Sequence, residues 1–223
     1  MPSIDYIDWR LLDVGFGLSD LHYYLDLLEK QIKDRQTEYR SDLQRIIKEQ
    51  GLTPDDSNWQ IVPEYERLAD YRMPRFFRAP FIISLYAVYE SAVTEIAKLI
   101  QKQKRIEITI DEKGSFTLDK AKRYYKKIIG FPLYSDNVAW ERIKMLSMIR
   151  HAIAHANGRL EMIKPKIRNN LQRWEKENIG IFSSDGFIVT EECFLRDTLG
   201  LVSASLNDLF DRYKEWDDRQ TSR

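Results

Sequence analysis

The run Val138-Ala139-Trp140-Glu141-Arg142-Ile143-Lys144-Met145-Leu146-Ser147-Met148-Ile149-Arg150-His151-Ala152-Ile153-Ala154-His155-Ala156-Asn157-Gly158 decides how this chain is read. Ile143, Leu146, Ile149, Ile153 and Ala156 recur at intervals of three and four, which gives a helix one buried stripe. Lys144, Ser147, Met148, His151 and His155 fall on a more polar flank. Ser135, Asp136 or Asn137 can accept hydrogen bonds from the first unpaired backbone amides. Asn157-Gly158 marks the stop, because both residues tolerate the left-handed conformation that ends a helix. The pattern predicts a helix over 138–156 whose histidines face outward or toward a partner.

The same period extends in both directions. Leu21, Tyr24, Leu25, Leu28, Ile32, Tyr39, Leu43 and Ile46 or Ile47 form a stripe from Leu18 to about Gln50, closed by Gly51 and Pro54. A second long helix is expected from Pro74 or Pro80 to Lys104, apolar nearly all round and therefore central in a bundle. A basic helix, Leu118 to Ile129, ends at Gly130 and Pro132, and another spans about Leu160 to Asn178. Alternation in Ile106 to Ile110, with Ser115-Phe116-Thr117 after Gly114, suggests a small hairpin. Asp185-Gly186, between Ile179-Gly180-Ile181-Phe182 and Phe187-Ile188-Val189, is a stronger hairpin signal. Thr190, Glu191 and Glu192 can cap and charge a last helix to about Tyr213, followed by a frayed tail from Glu215. No repeat or low-complexity linker interrupts the chain. The expected fold is all-α, a bundle of about five helices with one or two hairpin insertions, in a single domain over 1–223.

Composition narrows the class further. Of 223 residues, 43% are hydrophobic, enough for a substantial core. Thirty-five basic and 35 acidic residues cancel, which excludes a histone-like or ribosomal character. Cys193 is the sole cysteine, so no intrachain disulfide or Cys-x-x-Cys zinc site can form. The N-terminus has no basic region before an apolar stretch, and the longest uncharged run, Ala79 to Tyr89, is far below the roughly 20 residues that span a bilayer. A soluble, unprocessed cytoplasmic protein is expected, with no membrane partner.

The zero net charge conceals an uneven distribution. Between Arg142 and Arg173 lie Arg142, Lys144, Arg150, Arg159, Lys164, Lys166, Arg168 and Arg173 against the single acid Glu161, whereas the first 70 residues are acidic. Lys120, Lys122, Arg123, Lys126 and Lys127 form a second basic cluster, interleaved with Tyr124 and Tyr125. Cations and aromatics in that mixture can neutralise phosphates and stack bases, so these residues, with Lys144 and Arg159, are candidate RNA contacts. The alternative is a solvated basic face with its tyrosines in the core. Trp140, Trp174, Tyr86 and Tyr89 fall at helical spacing and are expected in the core. Cys193 is read as a small core residue, and His22 as packed or exposed rather than catalytic.

Two of the three histidines stand four residues apart in the decisive run. His151 and His155 lie almost above one another, whereas Arg150 and His155 are about 140° apart on an ideal helix, within reach of a long side chain. His155 also occupies the last turn, where unpaired carbonyls and the helix dipole favour positive charge. Two histidines at i and i+4 can hold zinc only with a third ligand, and no His-Glu-x-x-His or cysteine cluster provides one. No metal or cofactor is expected. The trio can also be a solvated, hydrogen-bonded helix end.

Arg150, followed by four residues and His155, with polar His151 directly after the arginine near the end of a helix in a helical chain, resembles the Arg-x4-6-His signature of the HEPN superfamily. The resemblance implies a HEPN-like bundle with its core at about 18–178, followed by a hairpin and helix at 179–213. It implies a metal-independent endoribonuclease, a toxin or antiphage effector, or alternatively an inactive module of the same fold that binds RNA or protein. Arg150 would bind the scissile phosphate, His155 would transfer a proton, and His151 would orient the phosphate or a neighbouring side chain. Glu90 corresponds loosely to an acidic position on an earlier helix, or simply pairs with a basic residue such as Arg150; Asn157 is a further supporting candidate. RNA, a second copy of the chain and an antitoxin or other regulatory protein are the implied partners. Small neighbours Ser147, Ala152 and Ala154 would allow that second copy to approach closely.

Overall fold

A computed structural model describes residues 9–110 and 116–221. In chain order the elements are α1 (Trp9–Gln50), α2 (Ile61–Arg67), α3 (Met73–Lys104), α4 (Leu118–Tyr124), α5 (Asn137–Ala156), α6 (Pro165–Lys176), β1 (Ile181–Ser184), β2 (Phe187–Thr190) and α7 (Glu192–Thr221). A π-helical turn, Leu68–Arg72, carries α2 directly into α3, and another, Tyr125–Ile129, extends α4. The described residues are therefore mostly helical, in six longer helical stretches, as an all-α chain with a small hairpin requires. None of these helices is long and apolar enough to cross a membrane.

The chain divides into two compact units, and α1, α3, α5 and α7 contribute residues to both. The first comprises 1–22, 83–151 and 196–223. Its core holds Val14, Leu18 and Leu21 of α1, Leu85, Val93, Ile96 and Ile100 of α3, Ile143, Leu146 and Ile149 of α5, and Val202, Leu206 and Leu209 of α7. Two buried phenol contacts add direction to this packing. Tyr89 donates to the Tyr134 hydroxyl at 2.6 Å, and Tyr125 to the Val93 carbonyl at 2.6 Å. Burial raises all three phenols above the ordinary tyrosine range, so they remain protonated donors.

The second unit comprises 23–82 and 152–195. Leu25, Leu28 and Ile32 of α1, Phe81 and Ile82 of α3, and Ile167, Leu171 and Trp174 of α6 are buried there with Ile181, Ile188 and Val189 of the hairpin. β1 and β2 pair antiparallel, from Ile181 opposite Thr190 to Ser184 opposite Phe187, and Asp185 and Gly186 turn the chain at φ 51° and 79°. The expected Asp-Gly hairpin is thus present.

Several expectations are corrected. Ile106 to Ile110 is not a strand: Ile106 N–H bonds back to Gln101, and the Ile108 carbonyl accepts from the Tyr124 hydroxyl at 2.8 Å. Of the proposed return strand, residues 114–115 lie outside the described residues; Thr117 instead caps α4, its Oγ accepting from the Lys120 N–H. α1 starts at Trp9 rather than Leu18, running through Gly15 and Gly17; a Cβ on Gly17 would meet the Val88 methyls of α3 at 3.8 Å, an ordinary contact. α3 starts at Met73, in agreement with the Pro74 alternative, and passes through Pro80, whose ring removes one helical N–H and crowds the Phe76 carbonyl; the π-helical turn joins it backward to α2. Leu160 to Asn178 is not one helix but a 3-10 turn at Leu160–Met162 followed by α6, which starts at Pro165. Thr190 pairs in β2 instead of capping α7. The tail is helical to Thr221, held by Gln103 donating to Asp217 and Lys104 standing 4.8 Å over the Trp216 ring. Cys193 is exposed rather than a core residue.

One buried ion pair organises the second unit. Both Glu29 oxygens accept from Arg78, at 2.7 Å each, and the same guanidinium donates to the Thr190 carbonyl at 2.7 Å. Glu29 is 1% exposed and the Arg78 side chain 12%, so the carboxylate in particular is shielded from water. Removing one partner strands the other in a low-dielectric site. Glu29→Ala and Arg78→Ala should each cost about 3–5 kcal/mol in urea unfolding, with the double variant well below the sum; single losses below about 1 kcal/mol would show that the pair is solvated.

Candidate functional site

α5 begins where the Asp136 carboxylate accepts from the Ala139 N–H at 2.7 Å, as its sequence predicts. Ile143, Leu146, Ile149 and Ala156 are buried, and Ile153 is half-buried. His151 and His155 are exposed on the opposite flank, one helical turn apart. Ala152 is 1% exposed and so cannot be a contact surface for a second copy; Ala154 is exposed and Ser147 half-buried. Ala152 is buried because it falls on the apolar stripe, three residues beyond Ile149.

Arg150 is half-buried. Its guanidinium lies 5.4 Å from the centre of the Tyr86 ring, and its Nε is buried with no hydrogen-bond partner. The Tyr86 hydroxyl accepts from Ser147 at 3.3 Å. Burial raises the Tyr86 phenol above its ordinary range, the Ser147 bond opposes that shift, and the charges of Glu90 and Arg150 act on it in opposite directions. Glu90 and Arg150 therefore share one neighbour, Tyr86, which sequence periodicity placed only in the core. This aromatic support holds the guanidinium against α3 while leaving hydrogen-bonding capacity unused.

The exit of α5 is built as its sequence predicts. Asn157 and Gly158 adopt φ 49° and 71°, and the Gly158 N–H returns to the Ala152 carbonyl at 3.0 Å. The chain then runs beside β2: Ile188 N–H donates to Gly158, Leu160 N–H to Gly186, and Arg159 bridges Phe187. The Asn157 carbonyl accepts from Arg75 at 2.9 Å. Arg159 stands 5.6 Å from the Phe187 ring centre and 3.7 Å from Glu161.

The basic residues of α4 separate into two groups. Lys122 sits 3.9 Å over the Trp140 ring, which Lys144 approaches at 5.7 Å. Lys120, Arg123 and Lys127 border a shallow groove of about 280 Å³ with Ile108, Ile110 and Ile128, and Lys126 is exposed. Tyr124 and Tyr125 are buried and hydrogen-bonded to carbonyls, so they cannot stack on bases as their interleaving suggested. Trp140, Trp174, Tyr86 and Tyr89 are core residues, as expected. Among the described residues, no three His, Cys, Asp or Glu side chains gather closely enough to hold a metal ion.

Sequence reasoning missed Arg72, Arg75, Phe76 and Phe187. Arg75 lies between two rings, 3.9 Å from the centre of Phe187 and 4.4 Å from that of Phe76. The signal available was the density of arginines from Arg67 to Arg78, which reads as an ordinary helix start until the hairpin is folded beside it. Compared with family models, curated proteins and solved structures, the chain matches none.

Gly158 provides a direct test of this exit. A Cβ there would meet only ordinary contacts at 3.7 Å from Ile188, so the cost of Gly158→Ala lies in the left-handed backbone. It should destabilise the chain by about 1–2 kcal/mol in chemical denaturation, and Asn157→Gly by far less.

Proposed function

We propose that this chain is a HEPN-like, metal-independent endoribonuclease in which Arg150 and His155 of α5 act on one phosphodiester. The observation that carries the proposal is a half-buried guanidinium, braced by Tyr86 with an unsatisfied Nε, on the same helix as two exposed histidines in its final turns. Successive residues rise about 1.5 Å and turn about 100°, so Arg150 and His155 are separated by roughly 7.5 Å along the axis and about 140° around it, a gap that the long arginine side chain has to bridge.

RNA carries its own nucleophile. The 2′-oxygen attacks the adjacent phosphorus as its proton passes to a base; the P–O5′ bond breaks, and the departing 5′-oxygen takes up a proton. His155 is suited to one of these transfers because an imidazole exchanges protons near neutral pH. Arg150 offsets the charge growing on the phosphoryl oxygens, and its fixed planar donors suit that group. His151, one turn before His155, orients the phosphate or its neighbour, and Glu90, whose charge acts on the same Tyr86 as that of Arg150, is the supporting carboxylate. Lys144, Arg159 and the exposed α4 cations extend phosphate contact along the strand. A second copy approaching His151, Ala154 and His155 would place two such sets in one cleft. A toxin or antiphage role, with a regulatory protein as partner, follows from the resemblance.

Incubation of purified protein with total RNA in EDTA, beside His155→Ala, tests the reading. The wild type should cleave, and the variant should be slowed about 10²- to 10⁴-fold while still binding RNA. Equal inactivity of both proteins, with RNA binding retained, would identify a non-catalytic module.

A further inference from the structure

A second feature, which shares Arg159 with the phosphate contacts above but neither Arg150 nor His155, lies wholly in the second unit. The π-helical turn Leu68–Arg72 and the start of α3 face the β1–β2 turn and Arg159 across a cavity of about 410 Å³, within the size range of small-ligand sites. Arg67, Arg72, Arg75 and Arg159 line it, against Glu64 and Asp185. Glu64 is already paired with Arg67 at 3.1 Å, so the charge of Arg72 and Arg75 is met only by Asp185 among the lining acids. Burial first, then the like charges of Arg72 and Arg159, lower the Arg75 guanidinium from its ordinary range, while Arg159 also faces Glu161 at 3.7 Å.

The aromatic component is equally specific. Phe76 is 54% exposed and Tyr71 37% exposed at the wall of the cavity, so both rings are within reach of a ligand there. Arg75 stands 4.4 Å from the Phe76 ring centre, which leaves that ring 54% exposed, and its NH1 is committed to the Asn157 carbonyl, so further N–H donors remain for a ligand. A π-helical turn inserts an extra residue and often marks a functional site; here it carries Tyr71 and Arg72.

We propose that this cavity binds one nucleotide unit, with its phosphate on Arg72, Arg75 and Arg159 and its base stacked on Phe76. Cations alone would accept any acidic chain; an exposed ring beside them selects a phosphate that carries a flat heterocycle. The unit can come from single-stranded nucleic acid or from a free nucleotide, which share this chemistry.

The test uses the full chain and fluorescence anisotropy with a labelled ten-residue oligodeoxyadenylate. The missing 2′-hydroxyls keep the probe intact whatever the catalytic activity. An abasic oligomer of the same length retains the phosphates and removes the bases. Phe76→Ala should weaken binding of the base-bearing probe about tenfold and leave the abasic probe unchanged, in line with the stacking contribution of one base. Arg72→Glu, also on an exposed residue, should weaken both at least tenfold. Competition by AMP at submillimolar concentration supports a free nucleotide as the source; competition by unlabelled oligomer alone supports a strand. Unchanged affinity of both Phe76→Ala and Arg72→Glu overturns the proposal, as does equal wild-type affinity for the two probes. Displacement by polyglutamate with no effect of Phe76→Ala also overturns it, in favour of an acidic protein partner. Cleavage of RNA without base-dependent binding removes only this site, and base-dependent binding without cleavage removes only the ribonuclease reading.

Discussion

At Asn157 and Gly158 the backbone turns left-handed, and several backbone groups at the end of α5 are taken up locally. The Gly158 N–H returns to Ala152, its carbonyl accepts from Ile188, and the Asn157 carbonyl accepts from Arg75. This turn fixes His155 in the last turn of a helix and aligns Arg159 with Phe187 on the hairpin. Had α5 continued, Arg159 would be a helical residue on another heading and β2 would lose a hydrogen-bonded neighbour. A two-residue backbone constraint therefore sets both the exposed histidine and one wall of the arginine-rich cavity.

The Glu29–Arg78 pair has a related role in the same unit. A buried carboxylate and guanidinium are costly to desolvate, and the pair is worth retaining only when its hydrogen bonds are satisfied. Here both carboxylate oxygens accept, and Arg78 also binds the Thr190 carbonyl at the end of β2. Arg78 is thus spent on structure, whereas Arg75, one turn earlier, is stacked on aromatic rings and retains donors. The contrast shows why arginine count alone does not locate a binding site; the partner of each guanidinium does.

Local patterns made much of this legible. The apolar stripe of α5, its Asp136 cap and its Asn157-Gly158 stop are local features, as is the Asp185-Gly186 turn, and each is present. Exposure of His151 and His155 follows from the same periodicity. Failures came where distant residues decide the outcome. Ile106 to Ile110 alternates like a strand, but its backbone groups bond to α3 and Tyr124. The tyrosines beside the α4 lysines look like stacking platforms until their hydroxyls are seen to meet backbone carbonyls. The tail beyond Glu215 lacks a stop signal and is held by Gln103 and Lys104, more than a hundred residues away in sequence. The Arg75 cavity needs the hairpin folded against α3, a juxtaposition no periodicity encodes.

The central claim is that Arg150 and His155 direct the RNA's own 2′-hydroxyl at the phosphate. Its most direct test is a single-atom change in the substrate. In a short RNA whose cleaved bond has been mapped, the nucleotide on the 5′ side of that bond is replaced by its 2′-deoxy analogue, leaving the phosphates and bases in place. Cleavage at that bond should cease while neighbouring sites are still cut. Cleavage there at an undiminished rate would contradict the mechanism, because the nucleophile would then have to be water.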